Sequence, residues 1–107
     1  MATDYKNAKL DLTTTGVTTL YTAPAAKTAI FKSILVSEDS GNADTVTATI
    51  TDASAAVFSL FKVKAVAANT AVELLSQPLI VETGEILKFT AATANRLHVV
   101  ASYLEVS

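Results

Sequence analysis

Residues 20–37 read LYTAPAAKTAIFKSILVS. A short apolar strand end, Leu20-Tyr21-Thr22, runs into Ala23-Pro24-Ala25-Ala26-Lys27 and then into a long strand. Pro24 has no N–H to give to a sheet ladder, so the break between the two strands falls there. Beyond it, Ile30, Phe31, Ile34, Leu35 and Val36 leave almost no polar stripe. A strand tolerates that only when both of its faces are covered. One face can enter the domain's own core. The other must meet a further layer or another chain.

Working outward, the rest of the chain also reads as strands. Val46-Thr47-Ala48-Thr49-Ile50-Thr51 alternates, with Val46, Ala48 and Ile50 expected inward and the three threonines outward. Further strands are expected at Leu12–Thr15, Val17–Thr22, Val57–Val63 and Glu85–Ala91, with a long closing strand over Leu97–Val106. Turn chemistry separates them. Glu38–Asp44 is a polar loop, Gly84 supplies a positive φ in Glu82-Thr83-Gly84-Glu85, and Asn69 and Asn95 serve similar turns. Ala65–Glu73 fits a loop between strands better than a helical turn. Turn signals every 8–12 residues over short strands predict an all-β sandwich or barrel.

The chain has 107 residues, one domain's worth, able to bury roughly 65% of its extended surface without disulfides or metal. The single domain is expected to span residues 1–107, with polar Met1–Leu10 as an arm that a neighbouring subunit or an adjoining strand must hold. Charged residues make up 17% of the chain, against about 25% in average domains, and mean hydropathy is +0.41. That leaves much neutral surface free for contact, since interface cores are depleted of charge. Net charge is −2 and the eight basic residues are scattered, so no stripe exists to displace counterions from nucleic acid. The apolar runs are strand-length and broken by Lys32, Lys62, Lys64 and Lys88, which argues against a membrane span. The N-terminus lacks the apolar region of a signal peptide. With no cysteine, assembly in a reducing cytoplasm is expected.

Catalytic constellations are hard to assemble from these residues. The single histidine, His98, lies in an apolar run with no cysteine and no Gly-x-Ser-x-Gly turn. It should share a strand face with Val100, Ser102 and Leu104, at a surface or subunit contact. One imidazole and no thiolate make a poor transition-metal site. Glu38, Asp39, Asn42 and Asp44 cluster in one loop as calcium ligands would, but their spacing is not that of an EF-hand, and the same residues serve an ordinary turn. Glu73, Glu82, Glu85 and Glu105 are expected to be solvated strand ends rather than a glycosidic pair. Most aromatic rings should be core, with Tyr5 and Tyr103 as interface candidates because each carries a polar tip. No enzyme, cofactor or metal is expected.

The segment Thr18-Thr19-Leu20-Tyr21-Thr22-Ala23-Pro24-Ala25, followed by Lys27-Thr28-Ala29-Ile30 and a strand ending Val36-Ser37 before Gly41-Asn42, resembles small structural proteins of tailed-bacteriophage virions. Val66-Ala67-Ala68-Asn69-Thr70, Glu73-Leu74-Leu75 and Glu82-Thr83-Gly84-Glu85-Ile86-Leu87 are similar to them as well. The resemblance implies a jelly-roll-like β-sandwich of about eight antiparallel strands. It implies a capsid decoration (cement) protein, located in the virion and assembled in the host cytoplasm. Its partner would be the major capsid protein or another virion protein, and the chain itself would form a dimer or trimer. Contacts would fall at Tyr5, Pro24, Lys27, His98 and Tyr103. The alternative is a tail, collar or fibre accessory that binds a receptor or glycan through the Glu38–Asp44 loop. A carbohydrate-active module outside any phage is a third reading. Glycine often stands in that family where this chain has Ala26, which implies a less kinked loop here.

Overall fold

The computed structural model describes residues 3–107. Nine strands and no helix make up the described chain: β1 Thr3–Leu12, β2 Thr18–Thr22, β3 Thr28–Glu38, β4 Asp44–Thr51, β5 Val57–Val66, β6 Ala71–Glu73, β7 Leu79–Val81, β8 Ile86–Ala91 and β9 Leu97–Val106. One sheet has the order β1-β9-β3-β6, with β7 also on β3, and the other has the order β2-β8-β4-β5. All pairings are antiparallel. The pairs nest about the β4–β5 hairpin: β4 with β5, β3 with β6 and β7, β2 with β8, and β1 with β9. A long antiparallel ribbon folded over itself in this way is a jelly roll.

The expected eight strands become nine because the partner of β3 is split. β6 pairs with Leu35–Ser37 and β7 with Ala29–Phe31. Between them β3 bulges at Lys32 and Ser33. There the Glu73 carboxylate accepts hydrogen bonds from the Ser33 hydroxyl and, at 2.8 Å, from the Ile34 amide. Pro78, which has no N–H, sits just before β7.

The core is formed by the facing layers, led by Phe31 and Phe89, both fully buried. Each contributes about 1.5–3 kcal/mol of burial. In β9 the alternation is as expected: Leu97, Val99 and Ala101 point inward, while Val100 and Ser102 are exposed and His98 and Leu104 half-buried. Only one face of β3 is covered by the chain itself. Ala29, Phe31, Ile34 and Val36 are buried, whereas Ile30 is half-buried and Leu35 exposed.

Several expectations change. The segment 3–10, expected as an arm held by a neighbouring subunit or an adjoining strand, is most of β1, paired in register with β9 from Thr3–Val106 to Leu12–Leu97. An adjoining strand of the same chain holds it, while Met1 and Ala2 lie outside the described residues. Leu12 ends this strand rather than starting another, and the Thr13 amide turns back onto the Asp11 carbonyl at 2.9 Å. In β4, Thr51 is buried rather than exposed, and Ile50 is only half-buried. Phe58, expected in the core, is 55% exposed because β5 is the outermost strand of its sheet.

The Pro24 turn is fully kinked despite lacking glycine. Lys27 donates to the Pro24 carbonyl at 3.2 Å, and Ala26 has φ 61°. A Cβ in the left-handed region costs roughly 1–2 kcal/mol. Ala26→Gly is therefore expected to stabilise the protein by about 1 kcal/mol, raising Tm by about 4–8 °C in a thermal melt.

Candidate functional site

The acidic side chains come first, because any catalytic or cation-binding reading depends on them. Glu105, expected at a solvated strand end, is 3% exposed on the inner face of β9. It accepts the Tyr21 hydroxyl at 2.6 Å and the Lys6 ammonium at 2.9 Å, with the Lys27 ammonium at 3.8 Å. The Tyr21 hydrogen bond, followed by that of Lys6, holds the Glu105 carboxyl below the ordinary carboxylate range. Burial, then the bond to Glu105, pushes the Tyr21 phenol up. Against this cluster Phe31 stacks on Tyr103 at 4.8 Å and 22°, and Tyr21 meets Phe31 edge-on at 5.3 Å. A buried anion is tolerated when paired and hydrogen-bonded on every side. This is a structural knot that ties β1, β2, β9 and the Pro24 turn together.

Glu38 plays the same part at the other end. It is the last residue of β3 and is buried, rather than a member of an open loop. Its carboxylate accepts from the Ser40 hydroxyl, the Ser40 amide at 2.8 Å, and the Gly41 and Asn69 amides at 3.1 Å each. Burial pushes its pKa up, but these hydrogen bonds outweigh that and hold it at about 2. Asp44, also buried, accepts the Thr93 amide at 3.1 Å. Two of the four oxygen donors considered for calcium thus face the protein's own amides. Among the described residues, no group of three or more histidines or acids is placed to hold a metal.

The five contact candidates do not form one patch. Tyr5 is 85% exposed near the start of β1, and Pro24 is exposed in the turn at the same end. Lys27, half-buried, leans toward Glu105. Tyr103 is 8% exposed and belongs to the core, which removes it as a surface contact. It lies on the inward parity of β9, beside Phe31 and Tyr21. His98 sits at the far end of the same strand, about 17 Å away. Its Nε2 is 3.4 Å from an Asp11 oxygen and its Nδ1 is 3.7 Å from an Asp39 oxygen.

Residue-by-residue reading of the sequence does not reveal two exposed apolar surfaces. On β5, Val57, Phe58 and Val63 are all more than half exposed. Two register shifts against β4 break this strand's alternation, and Val63 takes φ 53°, its amide donating to the Thr47 hydroxyl at 3.1 Å. A β-branched residue there is strained, by about 1–3 kcal/mol. On the outside of the other sheet, the register aligns Tyr5, Leu104, Ile30 and Ile80 in one row across four strands. Only the pairing pattern could have revealed this row.

Glu38→Gln is expected to destabilise most at neutral pH. The carboxyl titrates in the folded state at about 2, below its ordinary 4.5, so its contribution is full above pH 4.5 and disappears as pH falls toward 2. Denaturant titrations of both proteins across that range should show the gap closing on acidification. Tyr21→Phe removes a buried hydrogen bond to a charged group and should cost about 1.5–3 kcal/mol by the same measurement.

Compared with known protein families, curated proteins and solved structures, the chain matches none.

Proposed function

We propose that the protein is a capsid decoration (cement) protein of a tailed-phage virion, which binds the assembled major capsid lattice and stabilises the shell. The observation that carries this reading is the division of labour among side chains. The buried acids Glu38, Asp44 and Glu105 are occupied by the chain's own hydroxyls, amides and lysines. Meanwhile Tyr5, Val57, Phe58 and Val63 are turned to solvent. Such a distribution suits adhesion rather than bond chemistry. Binding to the assembled shell but not to its dispersed subunits would add to shell stability by mass action.

The β5 side, bearing Val57, Phe58 and Val63, is the lattice contact in this proposal, with Phe58 as the aromatic anchor. A receptor- or glycan-binding role through the Glu38–Asp44 loop gains no support from the site. Two of that loop's carboxylates are engaged internally.

Co-sedimentation with mature shells lacking accessory proteins, with tails as control, tests the reading. Saturable binding to shells at a fixed ratio to the major capsid subunit is expected. Phe58→Asp should weaken it at least tenfold with little change in Tm, because the ring is largely exposed. Binding to tails alone would assign the protein to the tail or collar instead.

A further inference from the structure

We infer that the outer face of the five-stranded sheet is a self-complementary interface, on which two copies of this chain stack about a two-fold axis parallel to the strands, between β9 and β3. This interface is separate from the β5 side and does not depend on the partner proposed for it.

The register of the sheet supplies the reasoning. Five rows of outward side chains cross it, read from β1 to β6 or β7. They are Thr3-Val106-Thr28, Tyr5-Leu104-Ile30-Ile80, Asn7-Ser102-Ser33, Lys9-Val100-Leu35-Glu73 and Asp11-His98-Ser37-Ala71. A two-fold axis along the strands keeps each row level and reverses its order in the facing copy. The second row then meets its own reverse: Tyr5 faces Ile80 and Leu104 faces Ile30 of the copy. All four are apolar or amphipathic, which suits the centre of a contact.

The fourth row decides the occupant. Reversal sets Lys9 against Glu73 of the copy and Glu73 against its Lys9, flanking two Val100–Leu35 contacts. Charge complementarity therefore arises twice from one surface, as a two-fold contact requires. In the other rows the one like-charge pair is Lys32, exposed at the bulge on the strand beside the axis, with Lys32 of the copy diagonally across it. Asp11 faces Ala71 and His98 faces Ser37, while Lys32, at the bulge, meets the row of Asn7 and Ser102. The face is also large enough. Three strands of about ten residues and the short β6 and β7, at about 4.8 Å between strands and about 3.4 Å per residue, give about 590 Å² per copy, at the low end of the roughly 600–1,000 Å² per partner of a standard interface.

The β5 edge is a weaker place for a second copy. Lys62, Lys64 and the distortion at Val63 guard it, as native edge strands are guarded against pairing.

Sedimentation equilibrium of the free protein should show a reversible monomer–dimer equilibrium. Val100, 40% exposed, lies at the surface, so Val100→Arg should weaken the dimer at least tenfold without unfolding the chain. Lys9→Glu should weaken it as well. Zero-length carbodiimide coupling of a mixture of ¹⁴N- and ¹⁵N-labelled protein should yield a mixed-isotope Lys9–Glu73 peptide. Within one chain these residues lie three strand spacings apart, about 14 Å, beyond the reach of a direct bond. A protein that stays monomeric to its solubility limit would overturn the inference and assign the face to a different protein. So would a dimer indifferent to Val100→Arg and Lys9→Glu, or one without the mixed-isotope link. Because no shell is present in these measurements, their outcome is independent of capsid binding.

Discussion

The ladder between β3 and β9 is the constraint on which the rest of the sandwich depends. It runs from Thr28–Val106 to Glu38–Leu97, and it places both strands in the middle of their sheet. Its inward positions carry Phe31, Ile34, Val36, Leu97, Val99 and Ala101, all buried. Slipping it by one residue would turn every one of these toward solvent. The bulge at Lys32 and Ser33 fixes the register, because it can be matched in only one way by the Glu73 carboxylate and the break between β6 and β7.

Each end of that ladder is closed by an anion. Glu105 gathers Tyr21, Lys6 and Lys27 at one end, and Glu38 gathers Ser40, Gly41 and Asn69 at the other. Two buried carboxylates are a large electrostatic liability in a protein with so few charges, and each survives because its oxygens have close donors. The result is that remote stretches of sequence are stapled by polar contacts, while the middle of the sandwich stays apolar.

The fold was legible where alternation and turn residues agreed. Leu97–Val106 matches β9 end for end, Gly84 takes the positive φ expected of its turn, and the turn residues Asn69 and Asn95 prove to be left-handed as well. β1 was missed because its outward and terminal positions are polar. Its inward signal is confined to Ala8, Leu10 and Leu12, and the last of these reads in sequence as the start of a separate strand. The contact candidates were less legible. The Tyr103 hydroxyl suggests an interface, but parity along β9 puts its ring in the core, whereas the hydrophobicity of Phe58 suggests the core and the residue lies on an edge strand. Exposure on a sheet depends on which strand is outermost and how rows align, and both are properties of pairing across the chain. A single sequence carries no direct record of them.

The position of β9 bears on when the protein can fold as it is made. This strand is last in order yet lies between β1 and β3, so the five-stranded sheet cannot close until residues 97–106 have left the ribosome. Before then, β1 and β3 lack the neighbour that both require, and the apolar flank of β3 is uncovered. Nearly all the stabilising contacts are distant in sequence, which makes such topologies slow to form. Closure of this sheet is thus deferred until residues 97–106 are available, and the nascent chain is most exposed to aggregation in the interval before β9 inserts.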